Sequence, residues 1–287
     1  MEAAATDRYF RTGDDVRLHY RDFPGGREGQ PVILCLPGLT RNARDFEALA
    51  GRLAPRFRVL AVSFRGRGES AAAADPLSYV PQTYVQDLGQ LLADAGIGRV
   101  VVIGTSLGGL VGVLLAMANQ PEVAGLVLND VGPVLGEAGL ARIRSAIGRG
   151  DNWPSWLVAA REIARLQGAV YPEWTLESWL THAKRLCRIA ADGRIVWDYD
   201  PEILAPFKEA EAAGPLDFWP AFEAIAGRPM LSIRGQLSDI LSAETQAEMA
   251  ARLPGLQLAT AAAVGHAPTL DEAEALQAIE HFLQPFI

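Results

Sequence analysis

The stretch Val100-Val101-Val102-Ile103-Gly104-Thr105-Ser106-Leu107-Gly108-Gly109-Leu110 decides how the rest of the chain is read. Four β-branched residues run into a turn that has glycine two places before a serine and two places after it. Beyond the turn, Leu107, Leu110, Val111, Leu114, Leu115 and Ala118 keep the i, i+3, i+4, i+7 spacing of one helix face. The stretch therefore predicts a buried strand, a sharp turn and a helix over Leu107–Asn119. So tight a turn needs small flanking residues and forces its serine into a strained backbone conformation. The serine hydroxyl then stands at the top of the sheet, and the leading N–H groups of the helix face any negative charge that forms beside it. Gly-x-Ser-x-Gly in this strand-to-helix setting is the pattern of a presented nucleophile. Ser106 is the candidate nucleophile, and the Leu107 N–H a candidate oxyanion donor.

Working outward, continuous apolar runs recur at Val32–Leu36, Val59–Val62, Val123–Leu128 and Met230–Ile233, with a weaker one at Leu256–Thr260. Runs without alternation suit strands covered on both faces, as in a parallel sheet. Val16–Asp22 alternates instead, which predicts an antiparallel edge strand. Helical patterns fill Pro81–Ala95, Ser242–Leu253 and Ala273–Leu283, the last with Asp271 as its cap. Alternating strand and helix predict an α/β fold with right-handed crossovers.

From Asp130 to Pro229 that rhythm stops, with no convincing strand. Pro133–Pro215 reads as mostly helical and holds Trp153, Trp156, Trp174, Trp179 and Trp197, five of the six tryptophans. It carries 10 basic and 11 acidic residues, so the acidic excess of the chain lies mainly elsewhere. The expected division is a core of residues 1–132 and 216–287 and an inserted helical cap of residues 133–215. An aromatic insertion after a strand's carboxyl end is placed to roof a site there. Trp153 is a candidate substrate contact on that basis, against the plainer reading that it packs the insertion's own core.

A serine hydroxyl needs a base. Of four histidines, His19 lies on the alternating strand, His182 in the insertion and His281 in the final helix. His266, in Val264-Gly265-His266-Ala267-Pro268, occupies a loop between the last strand and the last helix, and is the candidate base. The base needs an acidic partner to hold its tautomer. Asp239, after the strand Met230–Ile233, gives the chain order Ser…Asp…His and is preferred. Asp130, at the end of Val123–Leu128, is the alternative acid.

These residues resemble the α/β-hydrolase superfamily, of the bacterial kind of capped serine esterases and carbon–carbon-bond hydrolases. The likeness extends to Leu36-Pro37-Gly38-Leu39, with Pro37 where the family has histidine, and to Ser63-Phe64-Arg65-Gly66-Arg67-Gly68-Glu69-Ser70, with Ser63 where the family has aspartate. The resemblance implies a mostly parallel eight-stranded sheet flanked by helices, a Ser-Asp-His triad and a second oxyanion donor at the Leu39 N–H. Arg41, just after that loop, either braces it or meets a substrate carboxylate. The expected activity is hydrolysis of a small carboxylic ester or lactone through an acyl-enzyme on Ser106. The alternatives are cleavage of a carbon–carbon bond in a vinylogous diketone, or a non-catalytic ligand-binding role on the same scaffold.

Composition bounds the remainder. With 26 basic and 34 acidic residues the net charge is −8, and no Lys/Arg-rich run offers a nucleic-acid or anionic-membrane surface. Cys35 and Cys187 cannot build a disulfide framework or a thiolate zinc site. No metal-ligand spacing, Walker loop or dinucleotide fingerprint is present, so no metal or cofactor is expected. No leader pattern or apolar stretch of membrane-spanning length is visible, which predicts a cytoplasmic protein with a small-molecule substrate.

Overall fold

The computed structural model describes residues 5–118, 122–148, 150–206 and 217–287. The strands of the main sheet are β1 (Thr6–Arg11), β2 (Arg17–Phe23), β3 (Val32–Leu36), β4 (Val59–Ser63), β5 (Arg99–Thr105) and β6 (Glu122–Asn129), completed by two that follow the insertion. The insertion contributes β7 (Asn152–Trp153), β8 (Cys187–Ile189) and β9 (Ile195–Trp197), after which come β10 (Met230–Gly235) and β11 (Gln257–Ala261). The eight-stranded sheet has the order β1-β2-β4-β3-β5-β6-β10-β11. Only the β1–β2 and β2–β4 pairings are antiparallel, so the fold is the α/β-hydrolase architecture with a mostly parallel sheet.

Successive residues of each central strand point to opposite faces. Ile33, Cys35, Val101, Ile103 and Val127 pack on one side with α1 (Glu47–Leu53) and, from the far end of the chain, residues Ala275, Ile279 and Phe282. Leu34, Leu36, Val100, Val102 and Leu126 pack on the other with α2 (Pro81–Asp94) and α3 (Leu107–Ala118). That double cover is why these strands read as unbroken apolar runs. Full burial of such a side chain is worth about 1.5–3 kcal/mol.

Strands β6 and β10 are neighbours, Met230 opposite Leu126, although some hundred residues separate them in sequence. The intervening chain holds α4 (Glu137–Ala146), α5 (Trp156–Gln167) and α6 (Leu176–Leu186), and after it α7 (Trp219–Ala224) leads back to the sheet. The last two helices are α8 (Ala243–Arg252), capped by Ser242 accepting the Thr245 N–H, and α9 (Ala273–Leu283). Ser155 and Thr175 cap α5 and α6 in the same way.

Three details differ from the sequence reading. The alternating strand is not the edge, because β1, an exposed polar strand without an apolar signature, covers it. Helix α9 spans Ala273–Leu283 as read, but its cap position is Glu272 rather than Asp271, and the Glu272 carboxylate accepts from the Thr269 N–H and hydroxyl. The insertion, read as mostly helical and without a convincing strand, also holds three short strands: β7, β9 and β8 form a small antiparallel sheet. Its expected end at residue 215 lies outside the described residues. Among the described residues no helix is long and apolar enough to cross a membrane.

Candidate active site

Ser106 sits between the end of β5 and the start of α3 with φ +53°, a left-handed conformation that non-glycine residues rarely adopt. The turn is closed by backbone bonds from the Gly109 and Leu110 N–H groups to the Ser106 carbonyl, at 2.9 and 3.2 Å. Its glycines are sterically required. A Cβ on Gly104 would lie 2.5 Å from the Gly108 carbonyl, and one on Gly108 would lie 2.1 Å from the Leu36 oxygen. Leu107 opens α3, so its N–H has no acceptor within the helix.

His266 Nε2 lies 3.0 Å from Ser106 Oγ. His266 Nδ1 lies 2.8 Å from Asp130 Oδ2. A carboxylate can only accept, so Nδ1 carries the proton and Nε2 is left to accept from the serine. Asp130 is fully buried and has φ +56° at the end of β6. Its other partners are the Gly235 N–H at 2.8 Å and the Ser238 hydroxyl at 2.6 Å, so three donors converge on one carboxylate. These compensate the cost of burying its charge.

Asp239, the acid preferred from chain order, makes no hydrogen bond to His266. It grips Arg142 of α4 instead, at 2.7 Å from both Nε and Nη2. That guanidinium holds its carboxyl below the usual carboxylate range. The reason is geometric: the β10 loop passes Asp130 the Ser238 hydroxyl and the Gly235 N–H, then turns Asp239 outward to the insertion. Chain order favoured Asp239, but both carboxylates stand at strand ends and order carries no record of which one turns toward the histidine.

The serine opens into a cavity of about 230 Å³ lined from the core by Leu39, Arg41 and Thr105, and from the insertion by Arg142, Tyr171 and Trp197 among others. Leu39 is anchored through its carbonyl, which accepts from Nε of the fully buried Arg67 at 2.8 Å. Arg41 lines the cavity and is held by Asp45 through Nε and Nη2, both at 2.7 Å. Its Nη1 lies 3.4 Å from Nε2 of the buried His182. Trp153 is not on the wall. It packs inside the insertion's aromatic cluster, edge-on to Trp197 with ring centroids 5.1 Å apart. Trp197, its neighbour on the paired strand, faces the cavity, and sequence offered no means of telling the two apart.

Two bonds from the insertion bracket the histidine. The Gly265 N–H donates to the Val170 carbonyl at 2.7 Å, and the Tyr171 hydroxyl donates to the Ala267 carbonyl at 2.7 Å. Both anchors lie in the loop after α5 and had no signal beyond aromatic enrichment. Among the described residues no group of three or more histidine, cysteine or acidic side chains could hold a metal ion.

With this geometry in place the relatives are informative. A model of the alpha/beta hydrolase family matches residues 33–278, and the chain belongs to that family. The 3-hydroxybutyrate-oligomer hydrolase of Cupriavidus necator is 37% identical over 262 residues, covering 88% of each chain. The 2-(acetamidomethylene)succinate hydrolase of Mesorhizobium japonicum is 26% identical over 259 residues, covering 88% of this chain and 85% of that one. A crystal structure of an α/β hydrolase from Novosphingobium aromaticivorans has a TM-score of 0.93 and 51% identity, with 99% of both chains covered.

Proposed function

We propose that the protein is a serine esterase that works through an acyl-enzyme on Ser106, with His266 as base and Asp130, in place of Asp239, as the acid. The observation that carries this reading is the hydrogen-bonded chain from Ser106 through His266 to a fully buried Asp130. Ser106 Oγ attacks the ester carbonyl carbon while His266 Nε2 takes its proton. The negative charge passes to the carbonyl oxygen, which the Leu39 and Leu107 N–H groups receive. Collapse of that intermediate breaks the C–O bond, and the alcohol leaves with the proton from His266. A water then gives its proton to His266 as it attacks the acyl carbon, and Ser106 is released with the free acid.

Two features make the site suited to the transition state rather than the ground state. The strained serine and the anchored Leu39 loop are set before substrate arrives, so little is reorganised during the reaction. The insertion acts as a cap, walling the cavity and bracing the histidine loop from Val170 and Tyr171. A relative of 37% identity named for hydrolysing a 3-hydroxybutyrate oligomer supports an ester, since hydroxy acids are joined in oligomers by ester bonds. The cavity size favours short acyl groups or lactones.

The test is active-site labelling with a fluorophosphonate, followed by turnover of p-nitrophenyl acyl esters of increasing length. The wild-type protein is expected to label at Ser106 and to favour short chains, whereas Ser106→Ala does neither. A folded wild-type protein that neither labels nor turns over any ester defeats the reading, and a ring-fission diketone cleaved in their place returns the carbon–carbon alternative.

A further inference from the structure

The wall of the cavity carries charge opposite in sign to that of the chain. The whole molecule has net charge −8, yet the charged side chains lining the cavity, among the described residues, are Arg41, Arg142 and Arg185 against Asp45 alone. The three arginines are engaged differently, and the difference identifies one of them.

Arg185 spends its terminal edge: Nη1 and Nη2 both donate to Asp271, each at 3.2 Å. Arg41 is gripped side-on by Asp45, and its remaining Nη1 turns to His182 at 3.4 Å. This matches a residue that ties the oxyanion loop to the insertion. Arg142 is also gripped side-on, Nε and Nη2 meeting the two oxygens of Asp239 at 2.7 Å. Its Nη1 meets no acceptor among the described residues. A guanidinium held this way has its plane and rotamer set while its end-on edge, Nη1 with the outer hydrogen of Nη2, stays unused. That edge matches the two oxygens of a carboxylate, which bind it with paired, charge-assisted bonds.

We propose that Arg142 is the carboxylate-binding residue of the site, and that the natural substrates are esters bearing a free carboxylate, such as esters between hydroxy acids. The inference rests on the serine-esterase reading. Asp239 then acts as a positioning residue that presents Arg142 to substrate. The Arg142–Asp239 pair is neutral as a whole, so selectivity comes from the directed N–H edge within a partly enclosed cavity, where each bond is stronger than in bulk water. The acid product keeps the carboxylate, so it competes with substrate for the same edge.

The experiment compares matched ester pairs that differ only in a terminal carboxylate. One pair places it on the acyl side, the mono-p-nitrophenyl ester of glutaric acid against p-nitrophenyl valerate. The other places it on the alcohol side, the linear dimer of 3-hydroxybutyrate against its methyl ester. In at least one pair the wild-type protein is expected to favour the acid by tenfold or more in kcat/KM, mostly through KM, and to lose part of that preference as salt is raised. Arg142→Gln should reduce the acid-to-neutral ratio by at least tenfold. Arg142→Lys should not restore it, because an ammonium cannot hold Asp239 and a carboxylate at once in the same planar geometry. Asp239→Asn should lower the ratio in the same direction by a smaller factor.

Equal kcat/KM within both wild-type pairs overturns the proposal, as does an Arg142→Gln protein that keeps the preference. The wild-type comparison decides the matter even where a variant folds poorly. Turnover of the neutral esters together with fluorophosphonate labelling separates the two levels. If both are present without an acid preference, only the carboxylate proposal fails, whereas their absence removes the esterase reading beneath it.

Discussion

The loops that follow β6 and β10 each deliver one aspartate to the same end of the sheet, and they put it to opposite uses. Asp130 is fully buried, has a left-handed backbone, and accepts from His266, Gly235 and Ser238. Asp239 is about one-third exposed, 34%, and pairs with Arg142 of the insertion. One loop builds outward from the core and holds His266; the other ties the core to the insertion and fixes an arginine on the cavity wall. A carboxylate at a strand end is therefore not interchangeable with its neighbour. Its partners, and the direction its backbone gives it, decide what it does.

The sharpest test of the core side is Ser106→Ala, expected to lower ester turnover by on the order of 10⁵ to 10⁶ while leaving the circular dichroism spectrum as it is. Asp130→Asn should reduce kcat by on the order of 10⁴, because the amide no longer holds the imidazole tautomer that can accept from serine. On a neutral ester Asp239→Asn should cost at least a hundredfold less than that. The opposite ranking, measured side by side, would return the acid to Asp239.

A smaller effect probes how far the insertion supports the core. Tyr171→Phe removes the hydroxyl that donates to the Ala267 carbonyl next to His266. One such bond is worth about 1 kcal/mol, so kcat should fall by about fivefold. No change in kcat would mean the histidine loop is held by the core alone.

The smallest effect is on stability. His182 is buried beside Arg41 and Arg185, and burial first, then those two charges, hold its pKa well below the ordinary 6.5. The unfolded chain takes up a proton below pH 6.5 that the native imidazole refuses. Its contribution is thus complete above that pH and is lost as pH falls, at up to about 1.4 kcal/mol per pH unit. Denaturant unfolding at pH 7, 6 and 5 should show this slope in the wild-type protein and a shallower one in His182→Phe. Equal slopes would place the acid sensitivity elsewhere.

Much of the core was legible because its signals are local. The unbroken apolar runs at β3, β4, β5, β6 and β10 follow from cover on both faces, and the strained serine from glycines on either side of it. The edge strand β1 escaped notice because an exposed strand, here Thr-Asp-Arg-Tyr-Phe-Arg, needs no apolar pattern. Strands β7, β8 and β9 escaped because two or three residues carry no period at all. Arg142 was missed for another reason: a lone arginine on an exposed helix pattern looks like solvated surface until its partner is seen.

By itself the sequence determined the strand, turn and helix around Ser106 and the loop that bears His266, since each depends on residues a few places apart. Tertiary structure alone decided that Asp130 and not Asp239 meets His266, and that Trp197 and not Trp153 faces the cavity. His266 and Asp130 are 136 residues apart. Which side chains meet across such a distance is set by the packing of the sheet and of the insertion upon it, and chain order carries no record of that direction.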